Sequence, residues 1–151
     1  MSTETEETEK VLGRLLVELQ ALRGTANTLQ SRINLIDAAL SELELANASL
    51  GGLKNSKKGA SLLFPIGGGS YIKARLEDAE KAIVGIGAGV ASEKTYDKAQ
   101  ENIGTRVAEI QRSRVALQQR LSQVVEQINE TEDKVNEIVK SREAKDVVRK
   151  T

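Results

Sequence analysis

Residues 12–50 read LGRLLVELQALRGTANTLQSRINLIDAALSELELANASL, and their apolar side chains recur in unbroken steps of three and four. Leu12, Leu19, Ala26, Ile33, Leu40 and Asn47 take the a positions of a heptad. Leu15, Leu22, Leu29, Ile36, Leu43 and Leu50 take the d positions. A stripe this narrow and this regular is the seam of a coiled coil, not the broader face of a globular helix. A second seam runs through Ile103, Ile110, Leu117, Val124, Thr131 and Ile138 at d. Its a positions are Val107, Arg114, Leu121, Ile128, Val135 and Arg142. Two helices of similar length, about 65 and 75 Å at 1.5 Å per residue, can fold back on each other as an antiparallel hairpin. Both chain ends then meet at one tip.

The first helix is expected to begin between Thr3 and Thr8, where Thr3 with Glu6 fits a capping box and other nearby Thr residues fit about as well, and to stop at Gly51-Gly52. The second starts near Thr95–Asp97 and runs close to the end. The domain organisation is one unit over 1–151: helix one within 1–52, an insert over 53–95, helix two over 96–151. Asn47, a polar residue at an a position, is expected to specify register. Arg114 and Arg142 are expected to snorkel from the second seam.

The insert opens with a polar, basic loop carrying Lys54, Lys57 and Lys58, read here as solvated. Four short β-type runs follow. Leu62–Ile66 contains Pro65, which cannot donate to a ladder, so this strand lies at an edge or bends. Gly67-Gly68-Gly69 is a turn. In Tyr71–Leu76, Ile72, Ala74 and Leu76 alternate with Tyr71, Lys73 and Arg75. Lys81–Gly87 and Gly89–Thr95 form the second pair. The fold class is therefore mainly α, a long antiparallel coiled-coil hairpin with two β-hairpins at one end. Isolated two-stranded hairpins are marginal in water, so these should pair with other chains. Ile72, Leu76, Ile83, Val84 and Ile86 are the residues expected to be buried in the oligomer body.

Composition narrows the function. The 151 residues include 22 Lys+Arg and 22 Asp+Glu, with no net charge and no basic excess for nucleic acid. Aromatics are 2%, too few for a deep core, while 29% charged residues suit a solvated helical surface. There is no Cys and no His, which removes the thiolate and imidazole ligands of most transition-metal sites. Gly85, Gly87 and Gly89 lead into more strand-like sequence, whereas a dinucleotide loop opens a helix. No GK[ST] phosphate loop occurs, and no activated nucleophile is visible. No cofactor and no enzyme activity are expected. No apolar stretch nears the roughly 20 residues that span a bilayer. With an acidic, polar start from Ser2 to Glu9, the opposite of a signal peptide, the expectation is a soluble protein of the cytoplasm.

Apolar residues off the seam near both chain ends break the solvated pattern. Val11 is a g position, Leu16 an e, Val17 an f; Val139 is an e, Val147 an f and Val148 a g. In a hairpin these groups converge at the tip. With Leu12 and Leu15, where a seam end can fray, they form the candidate binding surface.

Residues 62–74, LLFPIGGGSYIKA, and 82–95, AIVGIGAGVASEKT, resemble the prefoldin alpha-type motif in its archaeal form. Helix, two hairpins and helix together resemble that family over the whole chain. The resemblance implies a hetero-hexamer of two alpha and four beta subunits, with hairpins forming a double β-barrel body from which coiled coils hang. It implies an ATP-independent chaperone that holds non-native proteins at its tips and passes them to a group II chaperonin. A structural coiled-coil spacer or filament subunit, with no client transfer, is the alternative.

Overall fold

The computed structural model describes residues 2–151. Its element order is α1 (Thr3–Leu53), β1 (Ser61–Gly67), β2 (Ser70–Arg75), β3 (Lys81–Gly87), β4 (Val90–Thr95) and α2 (Tyr96–Lys150). The expected fold class is the observed one. The chain divides into two compact units, one of the residues up to Ile36 with Ser113–Thr151, the other of Asp37–Arg112.

The first unit is a two-helix coil. Ion pairs between Arg23 and Glu132 (2.6 Å) and between Glu9 and Arg142 (3.2 Å) show that its strands run antiparallel. Leu19, Leu29, Ile33, Val124 and Thr131 are buried, and Ile33 is only 2% exposed. The other a and d positions from Leu12 to Ile36 and from Arg114 to Ile138 are half-buried. Burial therefore follows the heptad. Thr131 satisfies its buried hydroxyl by donating to the Gln127 carbonyl at 2.8 Å. Thr5 and Thr8 are also half-buried, one heptad before Leu12 and Leu15. Small threonines let the helices stay together there, an extension that apolar patterning alone does not reveal. On α2 the seam ends at Ile138, and residues 139–150 are all exposed. Arg142 accordingly stands in solvent against Glu9 instead of snorkelling from a packed seam.

The helix start differs in detail from the capping-box expectation. Ser2 precedes the first turn, and its carbonyl accepts from the Thr5 N–H at 3.0 Å.

The second unit carries the hairpins. β1 pairs with β2 and β3 with β4, both antiparallel, as two separate two-stranded sheets. The hairpins are conformational repeats of each other. Each has its register shift in the same place, between Pro65 and Gly67 and between Gly85 and Gly87. Each turns on two residues of positive φ, Gly68-Gly69 and Ala88-Gly89. That is the two-residue turn whose twist matches the strands. Ala88, at φ 51°, adopts the left-handed conformation that Gly68 reaches without a Cβ penalty. Pro65 pairs with Tyr71 and is followed at once by the bulge, so the strand both lies at an edge and bends.

Two expectations fail in this unit. The first helix does not stop at Gly51-Gly52; it continues to Leu53. Neither glycine takes a positive φ, and Leu50 and Leu53 on either side are half-buried. The left-handed glycine is Gly59, at φ 83°, in the loop beyond. Asn47 is exposed and does not enter the seam as a register device. Its backbone carbonyl instead accepts from Gln100 Nε2 at 3.5 Å. Here the packed positions are Leu40, Ala99 and Ile103.

Candidate functional site

The hairpins are positioned by a compact clamp. Tyr96, the first residue of α2, is buried and donates its hydroxyl to the Asp78 carbonyl at 2.9 Å. Its N–H donates to the Glu80 carbonyl at 3.3 Å. The connection between the hairpins is thereby tied to the root of α2. The Asp78 carboxylate closes the turn itself, accepting from the N–H groups of Glu80 (2.8 Å) and Lys81 (3.1 Å). Nearby, Lys54 pairs with Asp97, and Arg106 donates to the Gly85 carbonyl at 3.3 Å.

Those two N–H groups, Glu80 first, hold the Asp78 carboxyl below its ordinary value, with the charges of Lys81 and Lys58 assisting. A folded-state value below the unfolded one contributes stability above the ordinary carboxylate range. That contribution is lost as pH falls through the lowered value. Asp78→Ala is expected to lower the melting temperature at neutral pH, with the gap to the parent narrowing as pH drops below that range. Parallel thermal melts across the acid range measure it. A gap that stays constant to the acid end would show that the charge of Asp78 is irrelevant to the turn.

The hairpins leave much apolar surface uncovered. Val84 is buried within the chain itself, at 9% exposure, and Leu76 is half-buried. Ile83 (75%), Ile72 and Ile86 stand exposed. Leu63, Phe64, Ile66 and Tyr71 are exposed as well, and the expectations from sequence did not include them. Phe64 sits opposite Ile72 on one face of the first hairpin, whereas Leu63 and Tyr71 lie on the other. The signal was available in the β1 run, where apolar residues fill consecutive positions instead of alternating.

In the first unit, Val11, Leu16, Val17, Val139, Val147 and Val148 are all exposed, while Leu12 and Leu15 are half-buried in the seam. The Glu9–Arg142 pair brings the two chain ends together. The exposed apolar residues stand at e, f and g positions, and two of them line adjoining grooves that share Glu4, Thr8 and Lys145. Val11 lines a groove with Ile138 and Lys145, and Val148 lines one with Thr5 and Thr8. Leu16 and Val139 occupy e positions, on the flank that also carries the Arg23–Glu132 pair. Val17 and Val147, at f, face outward from their own helices. The end is thus studded with apolar side chains on several sides, among the cations Arg142, Lys145 and Arg149.

Among the described residues, no cluster of acidic side chains has the arrangement of a metal site. None of the helices is long and apolar enough to cross a membrane. A two-helix coil with two unpaired β-hairpins and apolar ends defines a coiled-coil subunit of the kind that works through surfaces. The prefoldin-subunit family pattern matches residues 4–141. The chain belongs to the prefoldin family, a family of chaperones, and it is of the alpha-subunit type.

The prefoldin subunit alpha of Methanopyrus kandleri is 35% identical over 116 residues, covering 77% of this chain and 74% of that one. The prefoldin subunit alpha 1 of Thermococcus kodakarensis is 35% identical over 103 residues, covering 68% and 70%. Among solved structures, a filamentous PFD from Methanocaldococcus jannaschii determined by cryo-EM has the same fold. Its TM-score is 0.64 at 23% identity, over 76% of this chain and 95% of that one.

Proposed function

We propose that this chain is a subunit of an ATP-independent holdase, which binds non-native proteins at the end of its coil and delivers them to a group II chaperonin. The carrying observation is the exposure of Val11, Leu16, Val17, Val139, Val147 and Val148 at the end where Glu9 meets Arg142. Apolar surface of this kind gains roughly 25 cal/mol per Å² when a client covers it. Contacts spread over several sides suit clients of no fixed shape, and each remains weak enough to release. Several such ends on one body raise each other's effective concentration. The exposed hairpin residues Ile72, Ile83 and Ile86, with the less exposed Leu76 and Val84, supply the interface to beta-type subunits in a hexamer of two alpha and four beta, working in the cytoplasm.

Replacing Val11, Leu16, Val17, Val147 and Val148 together with Ser tests the reading, because none of the five is an a or d position. The assembled variant should keep its helicity and mass yet lose most of its ability to suppress light scattering by an unfolding client. ATP should change neither protein. Full suppression by an intact variant would remove the coil end as the client surface.

The filamentous assembly of the structurally similar protein favours a second reading, a filament subunit built through the same hairpins. The mass of the chain with and without a beta-type partner separates the two. A closed hexamer appears only with the partner, whereas a filament grows with the concentration of this chain alone.

A further inference from the structure

The first unit carries an apolar groove away from the chain ends. Leu35, Ile36, Ala116 and Leu117 form its floor, and Arg32 and Arg120 stand on its two sides. Leu35 occupies a c position, which normally faces water, and it is 72% exposed. Ile36 and Leu117 are seam residues whose outer surface the groove shows.

The groove is cationic as well as apolar, as is the chain-end groove that Lys145, Arg149 and Val148 line. Arg23 and Arg142 each face a carboxylate from the other helix. Arg32 and Arg120, both at g, have no ion-pair partner among the described residues, and no acid lines the groove between them. One heptad toward the chain ends the corresponding g and c positions are Thr25, Thr28, Gln123 and Gln127, neutral and polar. A pair of g arginines beside an exposed c leucine thus does not recur in the next heptad.

We propose that this groove docks an amphipathic helical segment of a partner protein, with an aliphatic face on Leu35 and Leu117 and acidic side chains toward Arg32 and Arg120. A third helix laid along a two-helix ribbon buries aliphatic residues at i, i+3, i+4 and i+7. Guanidinium groups on both sides select carboxylates and fix the segment's position. The site is separate from the apolar end of the coil and does not depend on its role.

The test uses the full chain in its native assembly and two labelled peptides with the same aliphatic face, one bordered by Glu and one by Lys. Fluorescence anisotropy should show the Glu peptide binding about tenfold tighter, the effect of two favourable exposed ion pairs. Arg32→Glu with Arg120→Glu should reverse that preference, and Leu35→Ser should weaken both peptides. The five-residue Ser variant at the coil end should bind like the parent. All these positions are exposed, so circular dichroism should be unchanged. Equal binding of the two peptides, no binding, or a preference that survives charge reversal would overturn the proposal. So would loss of binding in the coil-end variant. Self-association that Leu35→Ser abolishes, in the absence of peptide binding, would assign the groove to a second copy of the chain instead.

Discussion

Ile83→Asp is expected to take the assembled complex apart while leaving the helical signal of the chain intact. The expectation rests on where the side chain stands. At 75% exposure Ile83 has little packing to lose within its own chain, whereas Val84 beside it is already buried there. If hairpins from several chains close over Ile83, its burial contributes about 1.5–3 kcal/mol per copy. A carboxylate in that position forfeits this and adds a desolvation penalty of several kcal/mol per copy. Native mass spectrometry reads the outcome, with circular dichroism as the control for folding. Val84→Asp is the contrasting variant and should disturb the hairpin itself. An Ile83→Asp protein that keeps full assembled mass would place the subunit interface elsewhere.

The largest expected effect on stability belongs to the seam. Leu29→Ala should cost about 2–5 kcal/mol, because the side chain is buried where both helices pack and a rigid coil cannot collapse onto the gap. Leu22, only half-buried, should cost less than Leu29, although the heptad gives them the same letter. Leu35→Ala, six residues beyond Leu29 and exposed, should stay within about 0.5 kcal/mol of the parent. Urea titrations of the three variants measure the differences. A midpoint for Leu29→Ala equal to the parent's would mean that the helices do not pack closely at that level.

These variants also separate what the heptad letter conveys from what packing adds. Seam residues could be named from sequence because a period of 3.5 admits only one stripe. Burial then falls where Leu19, Leu29, Ile33 and Val124 are. The hairpins were equally legible, since strand alternation and Gly-rich turns specify local pairing, and the two turns repeat each other 20 residues apart.

The apolar residues at the ends of the coil were legible as exceptions to a solvated pattern. Their division among several sides of the coil was not, because it depends on how two helices distant in sequence face each other. For the same reason Asn47 misled: its side chain is exposed although α2 is near enough for Gln100 to reach its backbone carbonyl. Thr5 and Thr8 erred in the opposite direction, being polar in type yet half-buried by the facing helix. The Gly51-Gly52 pair looked like a stop, but glycine ends a helix only when it turns left-handed. The flanking leucines keep this pair helical, and the left-handed residue is Gly59.

By itself, then, the sequence determined the two helices, the two hairpins, the seam that joins the helices and the prefoldin resemblance. Each is written in local periodicity or in turn chemistry. Only the tertiary structure decided that Tyr96 ties the inter-hairpin turn to α2, that Glu9 meets Arg142, and that Arg32 and Arg120 flank one apolar groove. Those are meetings between residues 18, 133 and 88 positions apart. No local propensity encodes such meetings. The last two follow from the antiparallel register, which is set by the summed packing of both seams; the first follows from how the inter-hairpin turn folds back onto the start of α2.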